Sequence, residues 1–143
     1  MKRTILNLGL LIGMATFTTM ELAAQDEMRG CRIDGGYAAT LTGRAPGFGD
    51  VNGTGVIDAD GAGQFTGTVG GVAVAGIMGQ VFQTPVTGTY KLAKDCTLTF
   101  TMNFVNLNTK VEGQGTVSNN GREVHILVTS PNNVVLTGVA RKQ

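Results

Sequence analysis

From residue 25 onward, no stretch of this sequence spaces its apolar residues at the helical interval, and none shows helix caps around such a run. Short runs of apolar residues and threonine alternate instead with clusters of Gly, Asn and Asp. The chain holds 22 glycines, several of them inside those runs, and each interior glycine costs a helix about 1 kcal/mol relative to alanine. That pattern restricts the chain to strands joined by tight turns. The clearest strand is "CTLTFTMNF". Leu98, Phe100, Met102 and Phe104 fall on one of its faces, and Thr97, Thr99, Thr101 and Asn103 on the other.

The same reading places strands at Gly36–Thr42, Gly53–Ala59, Gly63–Val69, Val72–Ile77, Val86–Leu92, Thr97–Phe104, Lys110–Val117, Glu123–Thr129 and Val134–Ala140. "DADGAG", "LAKDC", "SNNGRE" and "SPNN" separate them as hairpin turns, and Asn119–Gly121 supplies residues that tolerate positive φ. A weak echo, Gly-Thr followed by strand, polar turn and strand, recurs at unequal spacing and marks a repeated hairpin. The expected fold is all-β: an antiparallel meander of eight or nine strands, closed into a small barrel because closure removes exposed edges.

A signal peptide is expected ahead of that barrel. Met1–Lys2–Arg3 is basic, Ile5 to Phe17 is apolar and uncharged, and small residues precede a cleavage site near Ala24. The apolar run is too short, and too soon followed by Glu21, Asp26 and Glu27, to span a bilayer. Residues 1–24 are therefore read as a leader and 25–143 as one domain, secreted or periplasmic. In an oxidising compartment, Cys31 and Cys96, the chain's two cysteines, are expected to form a disulfide. Near-neutral charge, formally +1, and the lack of any basic run argue against nucleic acid and anionic membranes as partners. No motif calls for a cofactor.

"GDVNGTGVIDADGAGQ" resembles the calcium loop of dockerin modules over about a dozen residues. Asp50, Asn52 and Asp58 sit at offsets that such a loop uses, but Thr54 and Gly61 occupy two positions that need ligands. A β pattern follows where that loop requires a helix. The expected reading is a loop over Gly49–Asn52, then Gly53–Ala59 pairing antiparallel with Gly63–Val69 about a turn at Asp60–Gly61.

His125 is the only histidine. Alternation puts it with Glu123 and Leu127 on one face of its strand, opposite Val124, Ile126 and Val128. It and Tyr90 are the polar side chains that any acid–base chemistry would use. The aromatics Tyr37, Phe48, Phe65, Phe82, Tyr90, Phe100 and Phe104 are expected mostly in the core. Leu98, Phe100, Met102 and Phe104 are the residues expected to line any cavity, since an eight-stranded barrel is just wide enough for side chains or one small ligand. Val69–Gly79, "VGGVAVAGIMG", is apolar on both faces. It reads as a segment covered on both sides, or else as a subunit interface through which the chain would oligomerise.

"GVIDADGAGQFTGT", "TGTYKLAKDCTLTFT" and "GREVHILVTSPNNVVLTGVARKQ" together resemble a group of small secreted, mostly uncharacterised bacterial barrels, similar in architecture to allene oxide cyclase and dirigent proteins. The resemblance covers Tyr37 to the C-terminus and implies a barrel with an apolar cavity, which in the cyclases holds a lipid-derived substrate. No residue here matches a cyclase's functional positions. The functions expected are therefore a non-enzymatic barrel binding a small hydrophobic molecule or serving as an interaction module, a cyclase or isomerase acting in the cavity, or a calcium-dependent adhesive module.

Overall fold

The computed structural model describes residues 31–143; the proposed leader over 1–24 lies outside them. Eight strands follow in order: β1 Gly35–Ala45, β2 Gly49–Ala59, β3 Gln64–Ala75, β4 Met78–Leu92, β5 Thr97–Phe104, β6 Thr109–Ser118, β7 Glu123–Ser130 and β8 Val135–Lys142. Each pairs antiparallel with the next, and β8 returns to β1, so the meander closes into a barrel. Two short 3-10 turns, Val105–Leu107 and Asn119–Gly121, bridge β5 to β6 and β6 to β7. Asn119, Asn120 and Gly121 all take positive φ, which Gly adopts freely and Asn more readily than other residues with a side chain.

Period-two alternation puts one face of every strand inside. On β5, Leu98, Phe100, Met102 and Phe104 are buried; on β7, Val124 and Val128 are. Two strand expectations need correction. Gly63–Val69 and Val72–Ile77 are one strand, β3, because Gly70 and Gly71 stay in the ladder opposite Gln83 and Phe82. Gly49–Asn52 is no loop: it opens β2 and pairs with Val72–Val74 of β3 on one side and Thr42–Ala45 of β1 on the other, Gly49 with Ala45 alone.

The β2–β3 turn is held by one carboxylate. Asp60 Oδ1 accepts the backbone N–H groups of Ala62 at 2.7 Å and Gln64 at 2.9 Å. The Gln64 and Ala62 bonds, in that order, hold its acidity below the usual aspartate range. A carboxyl with a depressed folded pKa stabilises the fold above its unfolded value, and that contribution fades as pH falls through the folded one. Asp60→Ala should therefore lower the melting temperature at neutral pH, with the deficit narrowing in acid below the ordinary aspartate range. Thermal unfolding across pH checks this, and a deficit that does not change with pH refutes it.

Curvature comes from glycines inside strands. Gly88 on β4 pairs with Phe65 and Gly113 on β6 with Phe100. A Cβ at Gly88 would fall on the Phe65 ring and the Thr101 carbonyl; one at Gly113 would fall on the Phe100 ring and the Leu127 carbonyl. Each ring thus lies over a bare backbone, which lets a small barrel bend tightly at these glycines. The β6–β7 ladder also slips at Glu112/Gly113, where a bulge adds local bend and twist.

The β3–β4 hairpin outruns its neighbour. β4 begins at Met78, but its pairing with β5 begins only at Val86. Val69–Gly79 is not covered on both sides. Ala73 is buried, whereas Val72, Val74, Ile77 and Met78 are exposed. The segment alternates an inner and an outer side like any barrel strand, and its outer side is also apolar.

Candidate functional site

Ahead of β1, residues Cys31–Asp34 cross one end of the barrel as a short strap. Cys31 is bonded to Cys96 in the β4–β5 turn, with Cα atoms 5.1 Å apart. Ile33 points inward and is only 7% exposed. Tyr90 Oη donates to its carbonyl at 2.9 Å, the Arg32 carbonyl packs on Gly121, and Lys142 Nζ donates to Asp34 Oδ1 at 2.8 Å. The Lys142 hydrogen bond is the main reason the Asp34 carboxyl is held below its usual range.

Beneath Ile33 lies a cavity of about 80 Å³. Its wall is built from inward positions on several strands, among them Ala39, Ala59, Phe65, Leu98, Phe100 and Met102. Tyr37 and Tyr90 also border it, but their hydroxyls leave it: Tyr37 Oη donates to the Gly121 carbonyl at 2.7 Å and Tyr90 Oη to Ile33. Burial raises the pKa of both phenols, so they stay neutral donors at ordinary pH. The cavity surface is therefore aliphatic and aromatic carbon with a methionine sulfur. Such voids stay dry and favour apolar guests. At the opposite end the interior is filled by Val86, Phe104, Val111, Val128 and Leu136.

Of the residues expected to line a cavity, Leu98, Phe100 and Met102 do so, while Phe104 lies in the filled end. His125 is on the outer face, its Nε2 2.6 Å from Glu123 Oε1, and Arg141 Nε donates to Glu123 Oε2 at 3.1 Å. Arg141 first, then His125, holds the Glu123 carboxyl below its usual range. His125 and Tyr90 are thus not brought together, and neither points a free polar group into the cavity. Asp50, Asn52 and Asp58 alternate along the outer face of extended β2. An extended strand sets them well apart, and Asp50 is paired with Arg44 at 2.9 Å. Among the described residues no three His, Cys, Asp or Glu side chains converge as metal ligands would.

The sequence reading missed Ile33, which closes the cavity. It is a lone apolar residue between Arg32 and Asp34, and a strap has no periodicity to reveal it. Ala39 and Ala59 carry no signal in the sequence, because small inward residues matter only once the opposite wall is known.

Solved structures share this architecture. The redesigned β-barrel mFAP1, bound to DFHBI, is 17% identical with a TM-score of 0.58 over 80% of this chain and 98% of its own. The redesigned barrel b11L5F_LGL is 18% identical at 0.57, covering 80% and 95%. A fluorescence-activating β-barrel designed de novo is 14% identical at 0.56, covering 85% and 97%. The likeness is one of fold. No protein-family model and no curated protein matches the chain.

Proposed function

We propose that this chain is an exported binding barrel whose strap-covered cavity takes up a small apolar molecule. The observation that carries the reading is the dry void beneath Ile33, where both bordering tyrosines turn their hydroxyls away. At about 80 Å³ it exceeds one water's share of liquid, roughly 30 Å³, but is smaller than the roughly 150 Å³ cavity that accepts benzene. The resting cavity therefore suits a guest of a few heavy atoms, and a larger one needs a side chain to move. Met102, unbranched and adaptable, is the wall residue best able to do so.

Two further observations support the reading. Among barrels of this fold, mFAP1 and mFAP0 are bound to DFHBI. The Cys31–Cys96 bridge suits an oxidising compartment, in keeping with the basic and apolar start of the sequence. The finer kinship with allene oxide cyclase and dirigent barrels belongs to the same proposal, since those barrels also enclose an apolar interior. Cyclase chemistry would ask for a polar group free within the cavity, and here the tyrosine hydroxyls are engaged, so binding without reaction is the reading we favour.

Leu98→Ala tests it. The substitution enlarges the void towards benzene size at a cost of about 3 kcal/mol. A ligand bound only by the folded state must stabilise it, so benzene should raise the melting temperature of the variant and shift the methyl resonances of Val69 and Ile33. The unaltered protein should respond in the same way to a smaller apolar probe such as xenon. No response of either protein to either probe overturns the proposal.

A further inference from the structure

We propose that the projecting edge of β4, Met78–Phe82, pairs antiparallel with the same edge of a second copy of this chain. Closure supplies partners along most of every other strand, the longest exceptions being three residues, as where β7 splays from β8, but β4 enters its ladder with β5 only at Val86. The gap is partly covered next to that point: Asn106 donates its backbone N–H to Thr84 Oγ1 at 3.0 Å and its side-chain amide to the Gln83 carbonyl at 3.4 Å. From Phe82 back to Met78, alternate residues present backbone N–H and C=O groups to the open side. Such an edge is satisfied by another strand, and an exposed one invites pairing.

The chemistry of this edge selects the occupant. From Gly61 to Tyr90 the chain carries no charged side chain, so nothing on the hairpin steers an acidic or basic partner. The usual guards of an open edge, lysine and proline, are missing from Met78–Phe82; Pro85 comes only where Asn106 has already closed the gap. An uncharged edge can meet itself without like-charge repulsion, and a twofold axis makes such an interface self-complementary.

Centring that axis on Val81 gives a specific register. Val81 meets its own counterpart, Gly79 faces Gln83 of the second copy, and Ile77 lies beside the second copy's Pro85. Val81, 85% exposed, and its cross-strand partner Val72 then join with their counterparts into one valine row across the outer surface. Ile77, fully exposed at the hairpin tip, gains cover. The pairing leaves the cavity untouched, so it stands or falls independently of ligand binding.

Sedimentation velocity over a rising concentration series tests this, with circular dichroism to show that each variant folds. The unaltered protein is expected to pass from monomer to dimer. Val81→Lys and Val81→Glu, on an exposed side chain, should each sediment as monomers because like charges would sit directly opposite. An equimolar mixture of the two should recover the dimer, now by opposite charges. Val56→Lys, on the outer face of β2, should leave dimerisation unchanged. An unaltered protein that stays monomeric at its highest soluble concentration overturns the proposal, even if the edge captures some other protein's strand. A dimer that survives Val81→Lys, or a mixture that stays monomeric, overturns it equally.

Discussion

Exchanging both Cys31 and Cys96 for serine should lower the unfolding free energy by about 4 kcal/mol, the chain-entropy value for a closed loop of this length. The bridge joins positions 65 residues apart, so its main action is on the unfolded chain, which becomes freer when it is cut. Urea unfolding of the double variant should show a lower midpoint and a steeper slope, because the unfolded chain expands without its cross-link. Adding a reductant to the unaltered protein should reproduce the change. A second effect is local. Without Cys31 anchored to the β4–β5 turn, the strap keeps the packing of Ile33 and the Tyr90, Lys142 and Gly121 contacts. Hydrogen exchange at the backbone amides of Ile33 and Asp34 should then quicken more than exchange in β5 or β6. A loss below about 1 kcal/mol, well under the usual range for a native disulfide, would mean that the bridge contributes little.

Gly88→Ala should be nearly as damaging. Overpacking a tight core usually costs about 1–3 kcal/mol, and this site belongs at the top of that range. The new methyl group would meet the Phe65 ring and also the Thr101 carbonyl oxygen. A ring can rotate away, but a carbonyl in a sheet ladder cannot move without breaking its pairing. Shortening the ring as well, in Phe65→Leu with Gly88→Ala, should therefore recover only part of the loss. Gly113→Ala should behave alike, since its Cβ meets Phe100 and the Leu127 carbonyl. Gly36→Ala is the control: its Cβ would find only the end of the Gln143 side chain, at an ordinary 3.5 Å, and should cost little. Denaturant midpoints of the four proteins measure this. Equal losses at Gly88 and Gly36 would show that loss of glycine's flexibility, rather than close packing, sets the cost.

Alternation made the barrel legible before any coordinates. Threonine against Leu98, Phe100, Met102 and Phe104 identifies β5 and its inner side, and Asp60–Gly61 and Asn119–Gly121 identify turns by their backbone chemistry. What alternation could not convey is how far a strand runs. Gly70–Gly71 looked like an interruption, yet glycine breaks a strand only if the ladder fails to hold it, and here both neighbouring strands do. The exposure of Val72, Val74 and Ile77 was hidden for a related reason. Apolar residues on both sides of a strand read as burial, whereas the outer face of a closed barrel meets solvent whatever residues it carries. The cavity was half legible: its β5 wall follows from period two, whereas its lid, Ile33, and the diversion of two hydroxyls are products of tertiary structure.

The pairing of β1 with β8 also has a consequence for how the chain is made. Tyr37 lies opposite Lys142 in this ladder, and the Gly36 carbonyl accepts the N–H of Gln143 at 3.0 Å. During synthesis each pair of consecutive strands can form within a few residues of emerging, but the β8 side of β1 must wait for the last segment of the chain. Until then the nascent sheet is an open ribbon with two free margins, and the seam that turns it into a ring forms last. Contacts between such distant positions are slow to form. Closure of the seam, rather than formation of any hairpin, should therefore time the folding of this protein, and a chain released before Val135–Lys142 would keep both margins open.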